Sequence, residues 1–357
     1  MSEAKPILDY LRQTHEMGGS DLHLTVGAPP AARVNGTMHA LEDFPLTASQ
    51  VRELILDTVN ETKQSTLEAE WELDYALEAR GVGRFRGNVH YCRQNIEATY
   101  RFIPEEIPDL STLGHGPVIE TLCRLKRGLV LITGITGCGK TTTLASMVKR
   151  IAEIRSGMII TLEDPIEFVH EHNSSLVKQR EIGRDTKSFA KALRQCLRQD
   201  PDVIVVGELR DRESMQIALT AAETGHLVLG TLHTMDAPKT IERLMDSFPP
   251  DQQDQIASQL SNVLEGVICQ HLIPRADGQG RVLATEAMRA TSGIRVCLRE
   301  RKVEQLLGLM EIATQEGCHT IDECLAILLA NGSITPDEVF HHCRDERRFA
   351  PDGVNVV

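Results

Sequence analysis

The sequence predicts an α/β protein: a mostly parallel sheet with helical crossovers, preceded by a smaller α+β unit and followed by helices. Three observations carry this. The apolar runs Leu129 to Thr133, Ile159 to Leu162, Val203 to Val206 and Leu227 to Leu232 are separated by longer, helix-like segments, the texture of buried strands joined by crossovers. The first hundred residues show short period-2 alternation instead, which is the mark of half-buried strands. The last part of the chain carries paired helix starts around a helix stop.

In chain order, Leu22, Leu24 and Val26 alternate as a strand does, and Asn35-Gly36 between Arg33-Val34 and Thr37-Met38 is a two-residue hairpin signal. Thr47 with Gln50 makes a capping box before Val51, Leu54 and Ile55, which fall on one helical face. Trp71, Leu73, Tyr75 and Leu77 alternate again, as do Phe85, Val89 and Tyr91 around Gly87. From Ile103 the segment IPEEIPDLSTLGHGP reads as a linker. The strand Leu129 to Thr133 then runs straight into glycines, after which Leu144, Met147, Val148 and Ile151 line one face of a helix. Thr320 with Glu323, and Thr335 with Pro336 and Glu338, start two helices, and Asn331-Gly332 ends the first. The expected organisation is an amino-terminal domain at 1–103, a linker at 104–117, the parallel-sheet domain at 118–290, a helical region at 291–344 and a tail at 345–357.

At 357 residues the chain exceeds one ordinary core, and 41% hydrophobic with 25% charged residues is globular usage. No basic n-region precedes an apolar run at the amino terminus, and no stretch approaches 18 uncharged apolar residues. The reading is a cytoplasmic protein without membrane insertion. Nine cysteines without a C-x-x-C pair speak against a zinc site or a disulfide framework. A formal net charge of −13 speaks against nucleic acid as the main partner. Arg344, Arg347 and Arg348, interrupted by Asp345 and Glu346, read as a solvated face.

Chemistry concentrates at the ends of the apolar runs. Gly134-Ile135-Thr136-Gly137-Cys138-Gly139-Lys140-Thr141 satisfies G-x-x-x-x-G-K-[ST] between a strand and a helix. Glycines there let backbone amides turn toward phosphate oxygens, and the helix N-terminus adds partial positive charge. Gly134, Thr136, Gly137, Cys138, Gly139, Lys140, Thr141 and Thr142 are therefore the candidate nucleotide-binding residues, with Lys140 on the β- and γ-phosphates of ATP and Thr141 on Mg²⁺. Val203 to Val206 is followed by Gly207-Glu208, so Gly207 stands where the metal-directing Asp of such a strand usually sits. Ile159 to Leu162 ends in Glu163-Asp164, bringing further carboxylates to the same edge. His226 and His233 flank the next strand, His233 at its carboxyl end.

Together these residues resemble the secretion and pilus ATPase family, and within it the PilT-type pilus-retraction branch. The similarity runs from SDLHL (Ser20 to Leu24) and RFRGN (Arg84 to Asn88) through the nucleotide motifs to the carboxyl-terminal helices. GITGCGKT matches the family's Walker A, TLEDPIEFVH (Thr161 to His170) its Asp box, DPDVIVVGELRD (Asp200 to Asp211) its Walker B and TGHLVLGTLHT (Thr224 to Thr234) its His box. The resemblance implies a PAS-like amino-terminal domain, a RecA-like P-loop ATPase domain and a homohexamer with nucleotide between the two domains. It further implies Glu163 as the base that activates water, Glu208 as an Mg²⁺-side carboxylate and His233 facing the γ-phosphate. Arg86 and Arg101 fall where the family places arginines that reach the triphosphate.

The implied function is a hexameric ATPase motor that powers type IV pilus retraction from the cytoplasmic side of the inner membrane, held there by a platform protein, with a second retraction ATPase as a further partner. The family's AIRNL motif aligns with Gly293-Ile294-Arg295-Val296-Cys297, where only Ile294 and Arg295 agree. That departure leaves an accessory retraction ATPase open. A nucleic-acid-translocating relative is the alternative from another class, which the net charge of −13 disfavours. A regulatory nucleotide-binding subunit is a third, disfavoured by the joint presence of Glu163, Glu208 and His233.

Overall fold

In the computed structural model, which describes residues 4–34, 36–104 and 106–349, the alternation of the first hundred residues becomes an antiparallel sheet. Its strands are β1 (Asp21–Leu24), β2 (Ala31–Val34), β3 (Thr37–Ala40), β4 (Glu72–Ala79), β5 (Gly83–Cys92) and β6 (Asn95–Ile103), in the order β3-β2-β1-β6-β5-β4. This sheet belongs to a unit made of the described residues up to Glu106 together with Pro165–Val169. The helices Ile7–Glu16 and Ala48–Leu56 supply Tyr10, Leu11, Val51 and Ile55 to a core shared with Leu22, Phe85 and Val89. Full burial of side chains such as Phe85 or Val89 is worth about 1.5–3 kcal/mol each. Gly87 lies on the same face between two tyrosines, and a Cβ there would stand 2.9 Å from the Tyr75 ring.

Several local expectations shift here. The capping box of Thr47 and Gln50 forms. β2 and β3 pair as a hairpin with Val34 opposite Thr37, although Asn35 lies outside the described residues. β1 stops at Leu24 and Val26 belongs to the turn after it. Trp71 is not a strand residue: it caps the helix Glu61–Glu70 in the left-handed region, φ 65, with its side chain largely exposed. That helix buries only Leu67, so it carries no apolar periodicity to read.

The second unit comprises Ile107–Asp164 and the described residues from His170 onward. Its sheet contains β7 (Gly128–Thr133), β8 (Met158–Glu163), β9 (Leu176–Glu181), β10 (Val203–Val206), β11 (Leu227–Leu232), β12 (Leu264–Pro274) and β13 (Arg281–Arg289). The order is β13-β12-β7-β11-β10-β8-β9, and every pairing is parallel except β12 with β13. All four apolar runs expected as strands are strands. Alternate residues face opposite layers: Leu129 and Leu131 pack toward the layer holding the helices Phe189–Cys196, Arg212–Glu223 and Pro250–Val263, whereas Val130 and Ile132 pack toward the helix Lys140–Ile154. Burial on both faces explains why these strands read as continuous apolar runs.

The carboxyl-terminal part is helical, with the helices Ser292–Glu300, Leu306–Ile312, Ile321–Ala330 and Pro336–His342. Thr320 and Glu323 form the expected capping box, Thr335 caps the last of these helices, and Gly332 adopts φ 65 just after the helix stop. One expectation is refined. Arg344 is exposed, as are its neighbours Asp345 to Arg348, but its guanidinium reaches inward to lie 3.0 Å from the carboxylate of Glu286, which is fully buried. Burial raises the pKa of Glu286 while Arg344 pulls it down. A charge this deep needs a partner, and among the described residues the cation paired with it is Arg344, 58 positions further along the chain.

The segment from Ile107 already packs on the helix Lys140–Ile154, through Ser146 Oγ donating to the Pro108 carbonyl at 2.8 Å and Lys149 Nζ to the Ile107 carbonyl at 3.0 Å. Behind the first turn of that helix, Thr143 Oγ1 meets His115 Nε2 at 2.9 Å and accepts from Gln270 Nε2 at 2.8 Å. His115 is 3% exposed, and burial lowers its pKa from 6.5 to about 4. Between those values the unfolded chain binds a proton that the folded chain refuses. Stability therefore falls as pH drops through this window, by up to about 1.4 kcal/mol per unit from this residue. Melting temperatures measured from pH 7 down to pH 5 should decline, and His115→Gln, which keeps an acceptor for Thr143, should flatten part of that decline.

Candidate active site

The turn after β7 is built by glycine. Gly134, Gly137 and Gly139 have φ of 139, 80 and 90, a region L side chains rarely enter. A Cβ at Gly134 would stand 2.5 Å from the Gln270 carbonyl oxygen and 2.6 Å from Cys138 Sγ, so the loop also needs the space. Ile135, Thr136, Gly137 and Thr141 are exposed, Gly139 and Thr142 half-buried, and Cys138 and Lys140 buried. Gly139 starts the helix Lys140–Ile154 without a side-chain cap, so its first amides face the loop as donors with partial positive charge.

Lys140 Nζ donates to the carbonyls of Gly134 at 2.7 Å and Ile135 at 3.0 Å, and lies 3.4 Å from His233 Nδ1. Burial lowers the pKa of this lysine, with Cys138 and Glu208 pulling the other way. An ammonium has only protons to give, so Nδ1 of His233 accepts and the ring proton sits on Nε2. Nε2 in turn faces Glu208 Oε1 at 3.3 Å. The other oxygen of Glu208 takes Arg210 Nε at 2.8 Å, and Arg210 reaches Asp164 Oδ2 at 3.7 Å. A continuous run of polar contacts thus joins the glycine loop, the ends of β11 and β10, and the residue after β8.

Gly207 has a reason of its own. Its amide donates to the Leu162 carbonyl at 2.8 Å, and a Cβ would stand 3.1 Å from that oxygen and 3.5 Å from Glu163 Cα. A side chain here would push β8 away, so the acid is carried one residue later by Glu208. On β8, Glu163 Oε1 accepts from Thr161 Oγ1 at 2.6 Å and from Gln179 Nε2 at 3.0 Å. His226 sits at the other end of β11 and bonds the Ala221 carbonyl at 2.9 Å, apart from these residues.

Sequence reasoning named Lys140, Glu163, Glu208 and His233, and all four lie at the carboxyl edge of the parallel sheet. It did not name Arg210, Thr161 or Gln179. Thr161 precedes Glu163 by two residues on one strand, so period 2 alone would have placed both on one face. Gln179 comes from β9, whose sequence LVKQRE carries no apolar signal. Arg86 and Arg101 belong to the amino-terminal unit, where they are direct cross-strand partners on β5 and β6. Arg101 Nε lies 2.8 Å from Asp21, and Arg86 lies 3.8 Å from Asp74 and 4.0 Å from Glu167.

Among the described residues no group of three or more His, Cys, Asp or Glu is placed to hold a metal ion. Thr141 and Glu208 carry oxygen donors of the kind that Mg²⁺ takes alongside water and phosphate oxygens.

The family described as type II/IV secretion system protein matches residues 109–329. The type IV pilus retraction ATPase PilT of Pseudomonas aeruginosa is 45% identical over 343 residues, covering 96% of this chain and 99% of that protein. The type IV pilus ATPase PilU of the same organism is 40% identical over 332 residues, covering 93% of this chain and 87% of that one. A crystal structure of the pilus retraction motor PilT with bound ADP matches 97% of this chain and 99% of its own with a TM-score of 0.89 and 45% identity. The chain belongs to the type II/IV secretion system protein family and, on this near full-length similarity, to its PilT-type members.

Proposed function

We propose that the protein is an ATP-hydrolysing motor that powers type IV pilus retraction. The observation that carries this reading is the run of contacts Lys140–His233–Glu208 beside Glu163 at one sheet edge. Such a cluster at the mouth of a glycine loop serves phosphoryl transfer. The relatives that cover nearly the whole chain are pilus ATPases by description, one of them solved with ADP.

In this reading the triphosphate lies on the amides of Gly134 to Thr142 and Lys140 turns from its carbonyl partners to the β- and γ-phosphates. Thr141 and Glu208 would hold Mg²⁺, which would supply charge neutralisation. Glu163 takes a proton from water as the water oxygen bonds to the γ-phosphorus and the bond to the β-bridging oxygen breaks. His233, its tautomer set by Lys140 and Glu208, offers its Nε2 proton toward phosphate oxygen. Arg86 and Arg101 bring guanidinium charge to the triphosphate, and their present carboxylate partners hold them until then. The working form is a homohexamer on the cytoplasmic side of the inner membrane, bound to a pilus platform protein and working alongside a second retraction ATPase. Among the described residues no helix is long and apolar enough to cross a membrane. The domain arrangement we adopt is 1–103, linker 104–117, ATPase 118–290, helices 291–344 and tail 345–357.

An accessory role in retraction is the second reading. It is favoured by Gly293 to Cys297, where Ile294 is buried, Arg295 bonds Glu265 at 2.9 Å and Val296 is exposed at a position that departs from the retraction motif.

Lys140→Ala should lose nucleotide binding, because the phosphate charge is left uncompensated, whereas Glu163→Gln should bind ATP with near-normal affinity and lose turnover. Fluorescent-nucleotide titration and phosphate release measured side by side check this contrast. Arg101→Ala should hold ATP affinity within about tenfold yet lose most turnover, since an arginine acting on the transition state is worth about 10³–10⁵ in rate. Deleting the gene in its host should leave cells hyperpiliated and unable to twitch. Bare cells would point to pilus assembly instead.

A further inference from the structure

Glu163 does not stand alone at the end of β8. Thr161 lies on the same face of the strand, two residues back, and its hydroxyl donates to Glu163 Oε1 at 2.6 Å. Gln179 pairs with Thr161 in the parallel register of β8 and β9, and its Nε2 donates to the same oxygen at 3.0 Å. The orientation of the Gln179 amide is not arbitrary. Its Oε1 accepts the backbone N–H of His170 at 2.8 Å, and because a backbone amide can only donate, the NH₂ end must face the carboxylate.

We infer that Thr161 and Gln179 are positioning residues for the reaction base, an inference that rests on Glu163 being that base. Two donors on one oxygen fix rotation of the carboxylate about its last bond. Each acts through Glu163. Thr161 is 1% exposed within β8, so its hydroxyl sits in a rigid wall.

His170, which the Gln179 amide holds, is the first residue of the ATPase unit after the segment Pro165–Val169, and that segment belongs to the amino-terminal unit. Within the amino-terminal unit the segment is bonded through Ile166, whose carbonyl accepts from Arg84 Nη2 at 3.4 Å, and through Glu167 beside Arg86 at 4.0 Å. The residues just before and just after this excursion are thus the base strand and the residue that orients the base's donor.

The test uses the full-length protein and four variants. Thr161→Val keeps shape and removes the donor; Thr161→Ser keeps the donor. Gln179→Glu keeps length and an acceptor for His170 while removing the donor to Glu163. Glu163→Gln removes the base. Thr161→Val and Gln179→Glu should each lower kcat about tenfold to hundredfold, with fluorescent-nucleotide affinity within about threefold of wild type. Thr161→Ser should restore kcat to within about threefold. In the Glu163→Gln background, single-turnover rates should show no further loss from Thr161→Val or Gln179→Glu, because a positioning residue has nothing left to position. Undiminished losses in that background would overturn the inference, showing that both residues serve the fold. Wild-type turnover in Thr161→Val and Gln179→Glu with an inactive Glu163→Gln would overturn it too, while leaving the base in place. Wild-type turnover in Glu163→Gln would remove the base reading and the inference with it. Light scattering on every variant separates these outcomes from loss of assembly, and half-buried Gln179 decides the matter if Thr161→Val does not fold.

Discussion

Parallel strands that pair without a slip all end at the same edge, and whatever each strand carries one or two residues beyond its end arrives there together. In this chain β7 pairs with β11, β11 with β10, and β10 with β8 in continuous register. Thr133, Leu232, Val206 and Leu162 therefore share one rim, and the residues that follow them are the glycine loop, His233, Gly207-Glu208 and Glu163. In sequence, Gly134 and His233 lie 99 positions apart. The sheet brings them together at no cost beyond its own formation, and its burial on both faces keeps the rim from drifting.

Electrostatics then decides which groups face one another. Lys140 is buried, and its ammonium is held by two carbonyl oxygens and one imidazole nitrogen, with no carboxylate of the described residues in direct contact. That is a partly compensated, half-desolvated charge, whose attraction to an incoming polyanion is stronger than in water. Glu208, two contacts away, is kept from Lys140 by His233 and neutralised by Arg210. A direct Lys140–Glu208 pair would satisfy the lysine and weaken its pull on phosphate; the imidazole between them prevents that pairing.

Legibility followed the strength of local signals. The four central strands, the glycine loop and the two carboxyl-terminal helix starts were visible because each carries a periodicity or a cap that needs no distant partner. β9 and the helix Glu61–Glu70 were not, since LVKQRE at a sheet edge and a helix burying a single leucine present no apolar pattern. The acids and the histidine could be placed at the strand ends from sequence. What Gly207 was for could not, because its crowding by Leu162 and Glu163 exists only once β8 and β10 pair. The same holds for Arg344, whose buried partner Glu286 is 58 positions away, and for Gln179, whose role appears only in the register of β8 with β9.

The central claim is that this rim is a triphosphate site whose lysine, histidine and carboxylates act on one γ-phosphate. A structure of the protein with Mg²⁺ and a non-hydrolysable ATP analogue tests it most directly. The account predicts Lys140 Nζ moved from the Gly134 carbonyl to within about 3 Å of β- and γ-phosphate oxygens, and Glu163 and His233 facing the γ-phosphate. Phosphates lying elsewhere, with Lys140 still bonded to Gly134 and Ile135, would contradict it.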